Sequence, residues 1–200
     1  PLLVALALGL AACGAPPDEV QDAQQRVAER GARRVKADLE ALLARARAAA
    51  RAVPDLAALA RAERFDALER VRASHGVDGM RWEDPAGEGA WAGRVIEPHA
   101  PGEPGPWEGS LRTRDVALHV GPVVSALVVG PMPSSIGHLS VTLLLGEREH
   151  PAPGPSYPAR WREPLGLAEV VLAPVGATPR SDPDAVWAHA EVADGASGGC

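Results

Sequence analysis

No proline interrupts the chain between Asp18 and Ala52, and the only glycine in that stretch is Gly31. A run of this length without a breaker points to one long helix, because proline and glycine are the residues that end or weaken helices. Asp18 follows Pro17 and is expected to cap the start, with Glu19 favourable to the helix dipole. Val20, Val27, Val35, Leu39, Leu42, Ala46 and Ala49 recur at helical spacing and draw a narrow stripe. Such a helix buries a single seam, either against a partner helix, which would make a homodimer, or against a sheet.

The other side of this helix is basic. Arg26, Arg30, Arg33, Arg34, Lys36, Arg45, Arg47 and Arg51 crowd it, interleaved with Glu29, Asp38 and Glu40. Interleaved signs are the mark of a solvated helix face. The whole chain carries 20 basic and 26 acidic residues, a net charge of −6. Nucleic acid is therefore not an expected partner, since phosphate binding wants a basic surface.

Pro54 ends the long helix and Asp55 can cap the next piece. Leu56, Leu59, Phe65, Leu68 and Val71 continue a helical pattern, and Gly76 after Ser74-His75 is a suitable stop. His75 reads as a polar residue at the helix end, near the negative pole of the dipole. Residues 18–76 thus form a helical arm.

The stretch from Asp78 to Arg94 then changes period. Val77, Met80 and Trp82 begin a strand, Asp84-Pro85-Ala86-Gly87 suits a type I turn, and Ala90 to Val95 return. Trp82 and Trp91 would lie on paired strands, with a cross-strand aromatic contact. The loop from Glu97 to Gly109 is dense in proline and glycine, and Trp107 within it is expected to pack back on the body. Asp115–Val120, Val123–Gly130 and His138–Leu145 are strand candidates that read as an antiparallel meander, the last two joined by Pro131–Ser135. Glu147–Pro164 is polar and proline-rich, with a short helix expected at Tyr157–Trp161. Glu169–Ala173 and Ala185–Val192 are two more strand candidates. Residues 77–192 therefore read as the strand-rich body, and 193–200 as a disordered tail. The fold class is α+β: a long N-terminal helix and shorter helices packed on an antiparallel sheet.

Residues 1–17 stand apart. Pro1–Cys13, PLLVALALGLAAC, has no charge, and its length suits the apolar core of a secretory signal better than a span of about 20 residues. Leu10-Ala11-Ala12-Cys13 resembles the lipobox of bacterial lipoproteins, in which the cysteine is lipidated and becomes the mature N-terminus. Gly14–Pro17 resembles the flexible tether that follows. The rival is a transmembrane helix whose first half is cut off. Either way the chain is expected outside the cytoplasm, at the membrane of a bacterial cell envelope, attached through its N-terminus. It begins without a methionine and is expected to be a piece of a longer protein.

Catalytic signatures are missing from the sequence. The two cysteines, Cys13 and Cys200, make neither a disulfide framework nor a paired-cysteine zinc site, and there is no HExxH, GxSxG or glycine-rich phosphate loop. Neither a cofactor nor a metal is implied. His119 and His138 follow no ligand spacing. Ser134 and Ser135 carry no nucleophile signature, and Asp78, Glu83 and Asp84 cluster at the hairpin, where turn formation accounts for Asp84.

Four segments carry a family resemblance. Phe65–Leu68, Ser74–Gly79, Asp84–Gly87 and Ala90–Arg94 (FDAL, SHGVDG, DPAG and AWAGR) resemble the extracytoplasmic input region of bacterial membrane sensor histidine kinases. That region is similar to a PAS-like or Cache-like domain, in which a long membrane-proximal helix leads into shorter helices and a sheet of about five strands. The resemblance implies a periplasmic sensory domain of a two-component system that binds a small molecule between its sheet and the loops over it. Met80, Trp82, Trp91 and Arg94 are then the pocket candidates, offering apolar walls and one polar group. Kinase chemistry would lie beyond Cys200. The alternative is a free-standing envelope lipoprotein with a binding or structural role.

Overall fold

The computed structural model describes residues 2–8, 17–96, 111–112, 116–120, 123–134, 137–147, 161, 164–165, 169–174 and 186–192. The expectations for Cys13, Trp107, Ser135, Tyr157 and the 193–200 tail lie outside these residues. The chain divides into two compact units, Pro1–Ala41 with Tyr157–Cys200, and Leu42–Ser156. The architecture is α+β, with helices packed on an antiparallel sheet.

The long helix, α1, runs from Pro17 to Ala52. Pro17 opens it, so Asp18 sits inside the first turn and not at the cap. Proline suits the first helical position, where its missing N–H would have no helical partner anyway. The buried seam is Ala28, Ala32, Val35, Leu39, Leu42, Ala46 and Ala49. From Val35 onward this is the stripe expected from sequence. Before Val35 the seam shifts from Val27 to Ala28, because alternating steps of four and three carry it through small residues. These positions are already covered within the single chain. The basic face pairs with its own acids, Arg33 with Glu29 at 4.0 Å, Arg34 with Asp38 at 3.5 Å and Lys36 with Glu40 at 3.8 Å. Exposed pairs of this kind contribute about 0.3–0.5 kcal/mol each, enough to favour the helix locally but not to hold a fold.

In the first unit Leu2–Leu8 forms strand β1. It is the middle of a three-stranded sheet, flanked by strands 169–174 and 186–192. Trp161 is buried in this unit, and its Nε1–H donates to Asp38 Oδ2 at 3.2 Å.

In the second unit α1 ends at Ala52, and Asp55 caps a 3-10 turn over Leu56–Ala58 by accepting from the Ala57 N–H at 3.2 Å. Helix α2, Arg61–His75, follows, and the Ala60 N–H at its start donates to the Glu63 carboxylate. Gly76 closes α2 at φ +60°, a conformation that costs glycine little. His75 lies at that end, with Nδ1 3.1 Å from the Val71 carbonyl, as a polar terminal residue.

The sheet of this unit contains β2 (Gly79–Glu83), β3 (Gly89–Gly93), β4 (Leu111–Arg112), β5 (Val116–Val120), β6 (Val124–Pro133) and β7 (His138–Glu147). The spatial order is β3-β2-β7-β6-β5-β4, with every pair antiparallel. The last strand of the meander thus returns to pair with the first strand of the hairpin. Ser125–Gly130 of β6 are buried whichever way they point, so the centre of the sheet is covered on both faces. That matches the unbroken apolar run in its sequence. Leu127, Val129, Leu139, Val141, Leu143, Met80 and Trp82 form its core with Leu42, Leu43, Leu56 and Leu68. Each such side chain contributes about 1.5–3 kcal/mol by leaving water.

The other two strand candidates, β8 (Glu169–Pro174) and β9 (Val186–Val192), are strands but do not join this sheet; they flank β1.

Candidate functional site

The hairpin register decides which side chains can meet. Met80 faces Ala92, Arg81 faces Trp91 and Trp82 faces Ala90. Trp82 and Trp91 are therefore one step out of register, and with a side-chain period of two they point to opposite faces. The cross-strand tryptophan contact expected from sequence does not form. Trp82 is buried, whereas Trp91 is 56% exposed and makes an edge contact with Phe65 of α2, with ring centroids 5.1 Å apart. The other two pocket candidates also separate. Met80 is fully buried in the core, and Arg94 pairs with Glu147.

Trp82 lines a cavity on the helix side of the sheet, and Met80, Trp91 and Arg94 are not among the described residues that line it. This cavity has a volume of about 420 Å³. Arg47, Ala50 and Arg51 from the last turns of α1 line it, with Pro54, Asp55 and Leu56 from the connection that follows. Trp82 of β2, Leu139 of β7 and Val129 with Pro131–Ser134 of β6 form the opposite wall. The cavity borders a stretch in which β6 departs from regular pairing. Its register with β7 shifts between Val129 and Met132, around the cis Gly130–Pro131 peptide. Proline cannot donate to a ladder, and irregularities are where a sheet tolerates it. Pro131–Ser135 is expected from sequence to join two strands; β6 instead extends through Pro133. Trp82 Nε1–H donates to Ser134 Oγ at 3.1 Å, and the Arg64 guanidinium lies 5.1 Å from the Trp82 ring centroid.

A second, more polar cavity of about 320 Å³ opens on the other face, lined by the alternate residues of the same strands: Arg81 and Glu83 of β2, His138 and Ser140 of β7, and Val128 and Gly130 of β6, with Asp84, Val95, Ile96 and Pro131. Arg81 and Glu83 neutralise one another at 2.8 Å. The acids noted at the hairpin are structural here. Asp84 Oδ1 accepts from the Ala86 and Glu88 N–H groups at 2.9 and 2.8 Å and so holds the turn. Asp78 Oδ2 accepts from the Leu144 N–H at 2.8 Å.

His119 and His138 do not meet. His119 faces Ala126, which faces Leu144, whereas His138 begins β7. Among the described residues no group of three or more His, Cys, Asp or Glu side chains is placed to hold a metal ion. No helix among them is long and apolar enough to cross a membrane.

Trp82 is among the residues singled out from sequence, whereas Arg47, Arg51 and Ser134, which line the same cavity, are not among the pocket candidates. In sequence Arg47 and Arg51 read as part of a solvated face, and Ser134 as a serine without a nucleophile signature. Pro131 and Pro133 are the local sign of the β6 irregularity, but no local pattern brings Arg47 and Arg51 beside it. No protein-family model matches the chain, no curated protein is detectably similar to it, and no solved structure matches it.

Proposed function

We propose that this chain is the ligand-input region of a membrane-tethered, extracytoplasmic bacterial signalling protein, of the PAS-like or Cache-like kind that feeds a histidine kinase. One observation carries the proposal: the helix-side cavity is walled jointly by the last turns of α1 and by the sheet. An occupant would touch both, and would shift α1 to the extent that it prefers one helix arrangement over another. The antiparallel sheet behind a long leading helix is consistent with such a module. The apolar run Pro1–Cys13 supports attachment at the envelope, and Leu10–Cys13 supports a lipid anchor in particular. Several acyl chains, as on bacterial lipoproteins, hold a protein where one would do so only marginally.

The test is made on the native gene product. It should fractionate with membranes and be digested by protease added to spheroplasts, and labelled palmitate should be lost in Cys13→Ser if the anchor is a lipid. Apolar and kinase segments encoded after Cys200 would support the attached-kinase form. A stop codon there would leave the free-standing lipoprotein, which the lipobox-like segment also favours. Recovery in the cytosol, protected from protease, would rule out both.

A further inference from the structure

We infer that the helix-side cavity takes an amphiphilic monoanion, a carboxylate on an apolar or aromatic body. The inference rests on the proposed ligand-input role and adds the chemical class of the ligand. The floor and far wall are apolar: Trp82, Val129, Leu139 and Leu56. A volume of about 420 Å³ is that of a small-molecule site. The mouth carries charge on one side. Arg47 and Arg51 are one helical turn apart and so lie on the same face of α1. Neither makes an ion pair within the described residues, unlike Arg33, Arg34 and Lys36 on the same helix.

Two features oppose an anion here. One is Asp55, the only acid among the described lining residues, whose Oδ1 accepts from the Ala57 N–H and so serves the turn. The other is the C-terminal end of α1, whose carbonyls carry partial negative charge and which Arg51 complements. Two full positive charges exceed one carboxylate and a partial charge. The lining therefore stays net positive by about half a charge, a sign that favours a monoanionic head group at the guanidinium groups, while the body lies on Trp82 and the aliphatic wall. A dianion would leave a charge without a partner, and a cation would meet two guanidinium groups.

Isothermal titration of the protein with octanoate and 3-phenylpropionate, against octanamide and 3-phenylpropanamide, tests this. The carboxylates should bind and the amides should bind about tenfold or more weakly, the cost of losing a charge-assisted hydrogen bond. Arg47→Gln with Arg51→Gln should remove that preference while leaving the circular dichroism spectrum unchanged. Carboxylate and amide binding equally, or a preference that survives the double variant, would overturn the anion assignment and leave an apolar pocket in place. Failure of all four compounds to bind at millimolar concentration would overturn the site as well. Envelope attachment is read separately by fractionation, so failure of the signalling role is distinguishable from failure of the ligand class.

Discussion

The indole Nε1–H of Trp82 donates to the hydroxyl of Ser134 at 3.1 Å, joining positions 52 residues apart in sequence. Through this bond the core of β2 holds the irregular end of β6, which shapes the cavity wall. Trp82 is 1% exposed, so its ring is also a large part of the core. Trp82→Ala is expected to cost about 3–5 kcal/mol, as large-to-small core changes do. Trp82→Phe keeps a ring and loses the donor, and is expected to cost less, about 1–2 kcal/mol. Urea titrations followed by circular dichroism give both values. A Trp82→Ala loss comparable with that of an ordinary surface substitution, within about 0.5 kcal/mol, would contradict this packing.

Asp78 ties three elements with one residue. Its N–H donates to the Thr142 carbonyl at 3.1 Å and its carbonyl accepts from the Arg94 N–H at 2.8 Å. Its carboxylate accepts from the Leu144 N–H at 2.8 Å. Only the last bond depends on the side chain. Asp78→Ala is expected to leave that backbone donor without its acceptor and to cost about 1–3 kcal/mol. Asp78→Asn, whose amide oxygen can still accept, should recover most of the loss. Equal stabilities for the Ala and Asn variants in thermal unfolding would show that the Leu144 bond contributes nothing.

These two residues also show what the sequence could and could not tell. The strands were legible because β-branched and apolar runs are bounded by proline, glycine and polar residues, as at Val124–Val129 and His138–Leu145. The Asp84–Gly87 turn was legible from its chemistry. The register was not. It follows from pairing Glu83 with Gly89 around the 84–88 loop, and that one step separates Trp82 from Trp91. Nor was β1 legible. A uniformly apolar run has no period-two alternation to mark it as a strand, and its pairing partners lie at the far end of the chain. The cavity has Arg47 and Ser134 on one lining, a long-range juxtaposition that no local pattern encodes.

The Glu69–Arg72 pair gives a pH dependence whose sign can be worked out. Two hydrogen bonds run from the guanidinium to the carboxylate, at 2.5 and 2.7 Å. That bonding holds the Glu69 carboxyl below its usual value and raises Arg72 above its own. Arg72 stays charged throughout the accessible range, so only Glu69 titrates. A carboxylate with a lowered folded pKa stabilises the fold above its unfolded value, about 4.3, and loses that contribution as pH falls through the folded value. The stability difference between the native chain and Glu69→Gln should therefore be level from neutral pH down to about 5 and shrink below that. The pair is solvent-exposed, so the difference should be small and should fall with added salt. A difference that grows on acidification would reverse the assignment.

Strand β1 and the leader-like run make rival claims on the same residues. Leu2–Leu8 lies between β8 and β9, which are not paired with each other, so the ladder bonds of both run to β1. A cut just ahead of Cys13, as in a processed lipoprotein, would remove that shared partner. Two strands without it would keep no ladder between them, and open backbone groups exchange with solvent. Removing residues 1–12 is therefore expected to speed amide hydrogen exchange at 169–174 and 186–192, while 138–147, laddered to β2 and β6, keeps its protection. The mass of the N-terminus in protein taken from the cell envelope tells which form exists there. Unchanged protection at 169–174 and 186–192 in the shortened chain would mean that β1 is not what holds those strands.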